Sequence, residues 1–171
     1  MSKQMGVAEQ IADTKTGREG KYLTFTLSSE EYGLEILKIK EIIGMMDITY
    51  VPKTPAFVKG VINLRGKVIP VIDLRLKFGM KAKEYDARTC IIVVEVADMK
   101  GRSLQVGIVV DSVSEVVNLK GEQIEPPPSF GSALDTEYIL GMAKVDKSVI
   151  ILLDIDRVLA ASETETLMRM A

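Results

Sequence analysis

Three aspartates stand just after apolar, β-rich runs: Asp73 after Val68–Ile72, Asp111 after Leu104–Val110, and Asp154 after Ser148–Leu153. Clustered carboxylates of this kind could supply the acid and base of a hydrolase. Their settings argue for a plainer job. Asp73 precedes Leu74-Arg75-Leu76-Lys77-Phe78, and Asp154 also opens a helical turn, as N-cap aspartates do. Asp111 reads as the end of a strand, and the three fall at different strand ends. The chain has no histidine, and Cys90 is its only cysteine. That excludes nucleophilic catalysis with a histidine base, His/Cys zinc sites and an intrachain disulfide. Cys90 opens Cys-Ile-Ile-Val-Val and reads as a buried strand residue, not a nucleophile.

Recognition chemistry is better represented. From Gly60 to Arg75 the chain reads Gly-Val-Ile-Asn-Leu-Arg-Gly-Lys-Val-Ile-Pro-Val-Ile-Asp-Leu-Arg. The apolar runs Val61–Leu64 and Val68–Ile72 flank a polar break at Arg65-Gly66-Lys67, which predicts a β-hairpin. Gly66 supplies the positive φ that such a loop needs. Arg65 then rides in solvent at the tip of a rigid arm, offering a planar fork of five donors to a partner.

The elements that position this hairpin follow from patterning. Tyr22–Leu27 alternates as a half-buried strand, Ser28–Glu31 turns, and Tyr32–Ile36 returns. Leu37–Ile43 predicts a tight turn into a third strand. Pro52 and Pro55 mark a surface connection, and Thr54–Val58 reads as one helical turn with Thr54 as its cap. After a polar loop over residues 79–88, Cys90–Val96 and Leu104–Val110 are strands joined by Asp98–Arg102. Pro126-Pro127-Pro128 excludes a strand interior there. Ile139–Val145 and Ser148–Leu153 form a last hairpin, and from Asp154 a helical turn extends as a short helix towards Met170.

The two halves of the chain resemble each other. Setting Gly33 on Gly107 places Leu34, Ile36, Ile39, Ile42 and Ile43 on apolar residues and Glu41 on Glu115. Setting Gly60 on Gly141 places Val68, Ile69 and Asp73 on Val149, Ile150 and Asp154. Repeats of this length are repeated supersecondary units. The prediction is a mainly β fold of two similar barrels, about five strands each, packed side by side with a groove where they meet. The repeated hairpin carries Asp146-Lys147-Ser148 where the first carries Arg65-Gly66-Lys67. Arginine is therefore not required to build the loop, which argues for a specific job in the first copy.

Composition narrows the partners. Lys plus Arg number 22 and Asp plus Glu 24, for a net charge of −2. A general affinity for nucleic acid or anionic membrane calls for a basic surface. Aromatic residues are only 5% with no tryptophan, which leaves little with which to stack bases. No apolar run approaches the roughly 20 residues that span a bilayer. Residues 1–20 have no apolar signal-peptide segment and read as a flexible tail.

These motifs together resemble the CheW family of bacterial chemotaxis coupling proteins. The likeness runs from about Lys21 to Leu159 and includes the Gly60–Arg75 stretch, Glu-Glu-Tyr-Gly-Leu-Glu-Ile-Leu-Lys-Ile-Lys-Glu-Ile, Thr-Pro-Ala-Phe-Val-Lys-Gly, Val-Gly-Ile-Val-Val-Asp-Ser-Val-Ser-Glu-Val and Thr-Glu-Tyr-Ile-Leu-Gly. The resemblance implies two SH3-like five-stranded barrels, interleaved subdomains over roughly 21–88 and 89–159 of one domain at 21–159, and a tail or short helix at 160–171. It implies a non-catalytic, cofactor-free adaptor, cytoplasmic and recruited to receptor arrays, monomeric when free. Its partners would be chemoreceptor cytoplasmic tips and the regulatory domain of the histidine kinase CheA. By position, Arg65, Ile39, Glu41 and Gly60 match a receptor-binding set, and Phe130 matches a kinase contact. A family member compared with this chain has arginine where this chain has Glu125, so the charge beside that contact is reversed. Met45, Met46 and Ile48, flexible and apolar in a surface segment, suit a first kinase contact, with core packing as the alternative. The same domain occurs within CheA and in CheV. The chain has no room for their further domains and no histidine to phosphorylate, which leaves a stand-alone coupling protein.

Overall fold

The computed structural model describes residues 18–98, 100–127 and 137–170. β1 (Gly20–Leu27) and β2 (Glu30–Glu35) form the first hairpin, and a 3-10 turn at Ile36–Lys38 leads into β3 (Ile39–Gly44). β4 (Val58–Leu64) and β5 (Lys67–Asp73) form the central hairpin, followed by α1 (Leu74–Lys77). The second half repeats the plan with β6 (Cys90–Ala97), β7 (Ser103–Val110), β8 (Ser112–Leu119), β9 (Ile124–Glu125), β10 (Ile139–Val145) and β11 (Ser148–Leu153). α2 (Ile155–Val158) and α3 (Ala161–Met170) end the chain. The fold is mainly β, as expected.

The strands fall into a six-stranded sheet, β8-β1-β2-β11-β10-β9, and a five-stranded sheet, β3-β6-β7-β5-β4. Each sheet mixes the two sequence copies. The first copy gives its opening hairpin, β1–β2, to the sheet holding β8–β11, and the second gives β6–β7 to the sheet holding β3–β5. A cut near residue 88 therefore separates sequence copies but not sheets. The joints match: β8 meets β1 and β3 meets β6 antiparallel, while β11 meets β2 and β5 meets β7 parallel. Leu152 lies opposite Gly33 and Val71 opposite Gly107, so the aligned glycines hold equivalent places.

The exchange explains why Cys90–Val94 is a continuous apolar run, with polar Glu95 following it. Ile91 and Val93 pack in a small cluster with Ile62, Ile69, Val71 and Val109, while Ile92, Val94 and Val96 face a larger one. A strand covered on both faces has no polar side. The larger cluster joins the sheets, with Phe25 and Leu34 meeting Ile72, Ile92 and Ile108. A third cluster of Tyr22, Leu119, Ile124, Ala143, Ile150 and Leu152 fills the six-stranded sheet's own barrel. Fully burying each aliphatic side chain contributes about 1.5–3 kcal/mol. Among the described residues the seam between the sheets is therefore mostly core, with a groove bordered by Ala97, Asp98, Arg102, Asp156 and Arg157 at its margin. Four rings cross it in a row: Phe25–Tyr32 at 5.8 Å, Tyr32–Phe78 at 6.1 Å and Phe78–Tyr138 at 5.1 Å between centroids.

Three local expectations need correction. Thr54–Val58 is not helical: the Val58 amide donates to the Pro55 carbonyl in a single turn, and the Thr54 hydroxyl donates to the Val51 carbonyl instead of capping. Cys90 opens β6 half-buried, its thiol donating to the Arg88 carbonyl at 3.2 Å. The C-terminal helical region is broken at Leu159, whose extended backbone (φ −103°, ψ 138°) separates α2 from α3.

Candidate functional site

β4 and β5 are joined by two residues only, because Leu64 pairs with Lys67. Lys67 is thus the first strand residue, not part of the loop. Arg65 (φ 53°) and Gly66 (φ 87°) both adopt left-handed backbone, the combination a type I′ hairpin demands. Asn63 Oδ1 accepts from the Gly66 amide at 2.8 Å and braces the loop. In the second copy Asp146 takes a similar φ of 55°. Arginine has no special tolerance for this region, whereas aspartate does.

The Arg65 guanidinium is not simply solvated. It donates from Nη2 to the Glu41 carboxylate, with side chains 69% and 31% exposed. Hydrogen bonding to Glu41, and then its charge, raises the guanidinium above its ordinary pKa. Glu41 lies on β3, one edge of the five-stranded sheet, and Arg65 tips the hairpin that contains β4, the other edge. The pair therefore bridges the two edges of the rolled sheet.

A second bridge lies along the same seam. Thr49 and Val61 exchange backbone hydrogen bonds of 2.8 and 2.9 Å. Gly60 makes this approach possible: at φ 140°, a Cβ there would lie 2.0 Å from the Thr49 carbonyl oxygen and 3.1 Å from Ile48 Cγ2. Gly141 repeats the device, where a Cβ would lie 2.7 Å from the Glu125 carbonyl oxygen. Glu41, Gly60 and Arg65 thus gather at one seam. Ile39 sits on the same strand as Glu41 but packs against the main core.

Met45, Met46 and Ile48 are half-buried against the five-stranded sheet's own cluster, so the core alternative accounts for part of their surface. Tyr50 beside them is 70% exposed, and Leu37 on the 3-10 turn is 92% exposed. Sequence patterning picked out neither, since a single apolar residue in a turn carries no periodicity. Phe130 lies outside the described residues. Glu125 pairs with Lys144 at 2.5 Å, so its charge is balanced within the chain.

The carboxylates behave as caps and braces. Asp73 accepts from the Arg75 and Leu76 amides at 2.9 and 3.4 Å and from the Tyr85 hydroxyl at 2.8 Å. Burial, then bonding to Asp73, pushes the Tyr85 phenol well above its ordinary pKa. Asp154 accepts from the Asp156 amide at 3.1 Å. Asp111 does more than end a strand: it accepts from the Ser28 amide at 2.7 Å and from Arg75 Nε at 3.1 Å. Asp73 and Asp111 are not dispersed, since both border one cavity of about 10 Å³, room for a single water at most. Among the described residues no group of three or more His, Cys, Asp or Glu is placed to hold a metal ion. No helix among them is long and apolar enough to cross a membrane.

Comparison with known proteins agrees with the geometry. A sequence model described as the CheW-like domain matches residues 21–163. The chain is 42% identical over 159 residues to the chemotaxis protein CheW of Klebsiella aerogenes, covering 93% of this chain and 92% of that one. It is 36% identical to a probable chemotaxis protein CheW of Rhizobium etli, over 84% of this chain and 89% of the other. The crystal structure of the scaffolding protein TtCheW from Thermoanaerobacter tengcongensis superposes with a TM-score of 0.74 at 37% identity, over 85% of this chain and 95% of that chain. This chain belongs to the CheW-like domain family.

Proposed function

We propose that this protein is a non-catalytic adaptor of bacterial chemotaxis that couples chemoreceptors to the histidine kinase CheA. Relatives named chemotaxis protein CheW and a structural neighbour titled a scaffolding protein support the reading. The observation that carries it is the seam of the five-stranded sheet, which holds both the Arg65–Glu41 ion pair and the close approach of Gly60 to Thr49. Arg65 keeps its guanidinium exposed and oriented by Glu41, ready for carbonyls or a carboxylate on a receptor helix. In this reading Arg65, Glu41, Gly60 and Ile39 serve the receptor. The kinase contacts fall to Phe130 and to the exposed parts of Met45, Met46 and Ile48. The working unit is one domain over residues 21–159, monomeric when free, cytoplasmic and recruited to receptor arrays.

Calorimetric titration of the purified chain against a receptor cytoplasmic fragment and against CheA tests the proposal. Saturable binding to both partners is expected, and binding to neither overturns it.

A further inference from the structure

The C-terminal helix α3 covers part of the core that joins the two sheets. Leu167 is fully buried in that cluster, Thr164 is buried beside it, and Met170 packs against it. Two ion pairs hold the helix at its rim. Lys77 Nζ on α1 meets both carboxylate oxygens of Glu163 at 2.7 and 2.9 Å, and Arg102 Nη2 before β7 meets Glu165 at 2.8 Å.

Both rim cations are positioned without the helix. Lys77 lies 4.8 Å over the Phe57 ring, and Arg102 Nε is held by Asp98 at 2.7 Å. The slot is therefore built by the body of the protein, and α3 is attached to it through one connection, the break at Leu159. α3 has ten residues, fewer than the roughly 12–15 that a helix needs to persist alone in water. Its sequence, Ala-Ser-Glu-Thr-Glu-Thr-Leu-Met-Arg-Met, includes three Ser or Thr residues of modest helix propensity and one fully buried leucine. A groove of about 570 Å³, bordered by Arg102, Asp156 and Thr164, runs beside it and leaves room for a bulkier occupant.

We infer that the slot under α3 is a docking site for an amphipathic helix of a partner protein, and that α3 is its resident occupant. The resident helix states the chemistry of the ligand: a leucine anchor with acidic residues four and two positions before it, as Glu163 and Glu165 precede Leu167. Such a helix lays its apolar stripe in the slot and its two carboxylates on Lys77 and Arg102. The inference does not depend on the coupling role proposed above.

The probe is a fluorescein-labelled synthetic peptide of residues 160–171, titrated by anisotropy against the full chain. Wild type binds it weakly, because its own α3 competes at high effective concentration. Leu167→Ala frees the slot, and peptide affinity rises by about tenfold or more. Adding Lys77→Glu to that variant reverses most of the gain, and a peptide carrying Glu163→Lys recovers part of it. Equal affinity for wild type and Leu167→Ala, or indifference to Lys77→Glu, overturns the inference. So does loss of the folded state in Leu167→Ala, since the slot would then never stand open in a folded chain. Hydrogen exchange on wild type is an independent test: α3 amides exchange about tenfold or more faster than those of β7. A helix that exchanges as slowly as β7 contradicts the proposal.

Discussion

Arg65 and Glu41, 24 residues apart in sequence, form an ion pair across the two edges of the five-stranded sheet. The pair lies on the same seam as the Thr49–Val61 bridge, so residues that present the candidate site also help close the sheet that carries it. Structural and recognition roles at this seam can be separated by substitution.

Gly60→Ala acts through structure. Its Cβ meets the Thr49 carbonyl oxygen, a backbone atom that cannot rotate away. Both bonds of the Thr49–Val61 bridge are expected to break, at a cost of about 2 kcal/mol. Denaturant unfolding measures the loss, and hydrogen exchange places it at the Thr49 and Val61 amides. Unchanged protection at those amides would contradict the account.

Gly66→Val tests the loop. At φ 87° a β-branched residue is strained, and the expected destabilisation is roughly 1–2 kcal/mol. The same variant should leave the Asn63 side chain without its amide partner if the loop rearranges. Equal midpoints in urea for variant and wild type would show that the hairpin adapts freely.

Glu35 gives a pH-dependent prediction. Burial first, and the nearby Asp154 charge second, raise its carboxyl above the ordinary glutamate value, while Lys38 opposes them. The folded state therefore binds this proton more tightly than the unfolded chain does. Its contribution to stability is present below the unfolded value, about 4.3, and is lost as pH rises through the folded value. Glu35→Gln should raise the melting temperature at pH 7, with the advantage shrinking to near zero by about pH 4. An advantage that grows on acidification would contradict the assignment.

Much of this architecture is legible in the chain. The Gly66 turn and the capping roles of Asp73 and Asp154 follow from local chemistry, and the matched positions of Gly33 and Gly107 follow from the repeat. The exchange of β1–β2 and β6–β7 between sheets does not, because a repeat shows which segments are alike and not which strands they join. Parallel pairing of β2 with β11 and of β5 with β7 depends on contacts far apart in sequence. Resemblance grouped Arg65 with Glu41, but their ion pair emerges only when the sheet rolls. Asp111 looked like a strand end because its partners, Ser28 and Arg75, come from a different turn and a different helix. Thr54-Pro55 has the composition of a helix start, yet Val58 is already committed to β4, leaving space for only one turn.

In the proposed coupling role Arg65 recognises the receptor and does not merely close the hairpin. The most direct measurement titrates Arg65→Ala, Arg65→Lys and wild type against a receptor cytoplasmic fragment and, separately, against CheA. Arg65→Ala should keep the native circular dichroism and melting curve, lose roughly thirtyfold in receptor affinity, and bind CheA as wild type does. Arg65→Lys should restore only part of the loss, since an ammonium cannot reproduce the planar fork. Undiminished receptor binding by Arg65→Ala, or equal losses against both partners, would contradict the account.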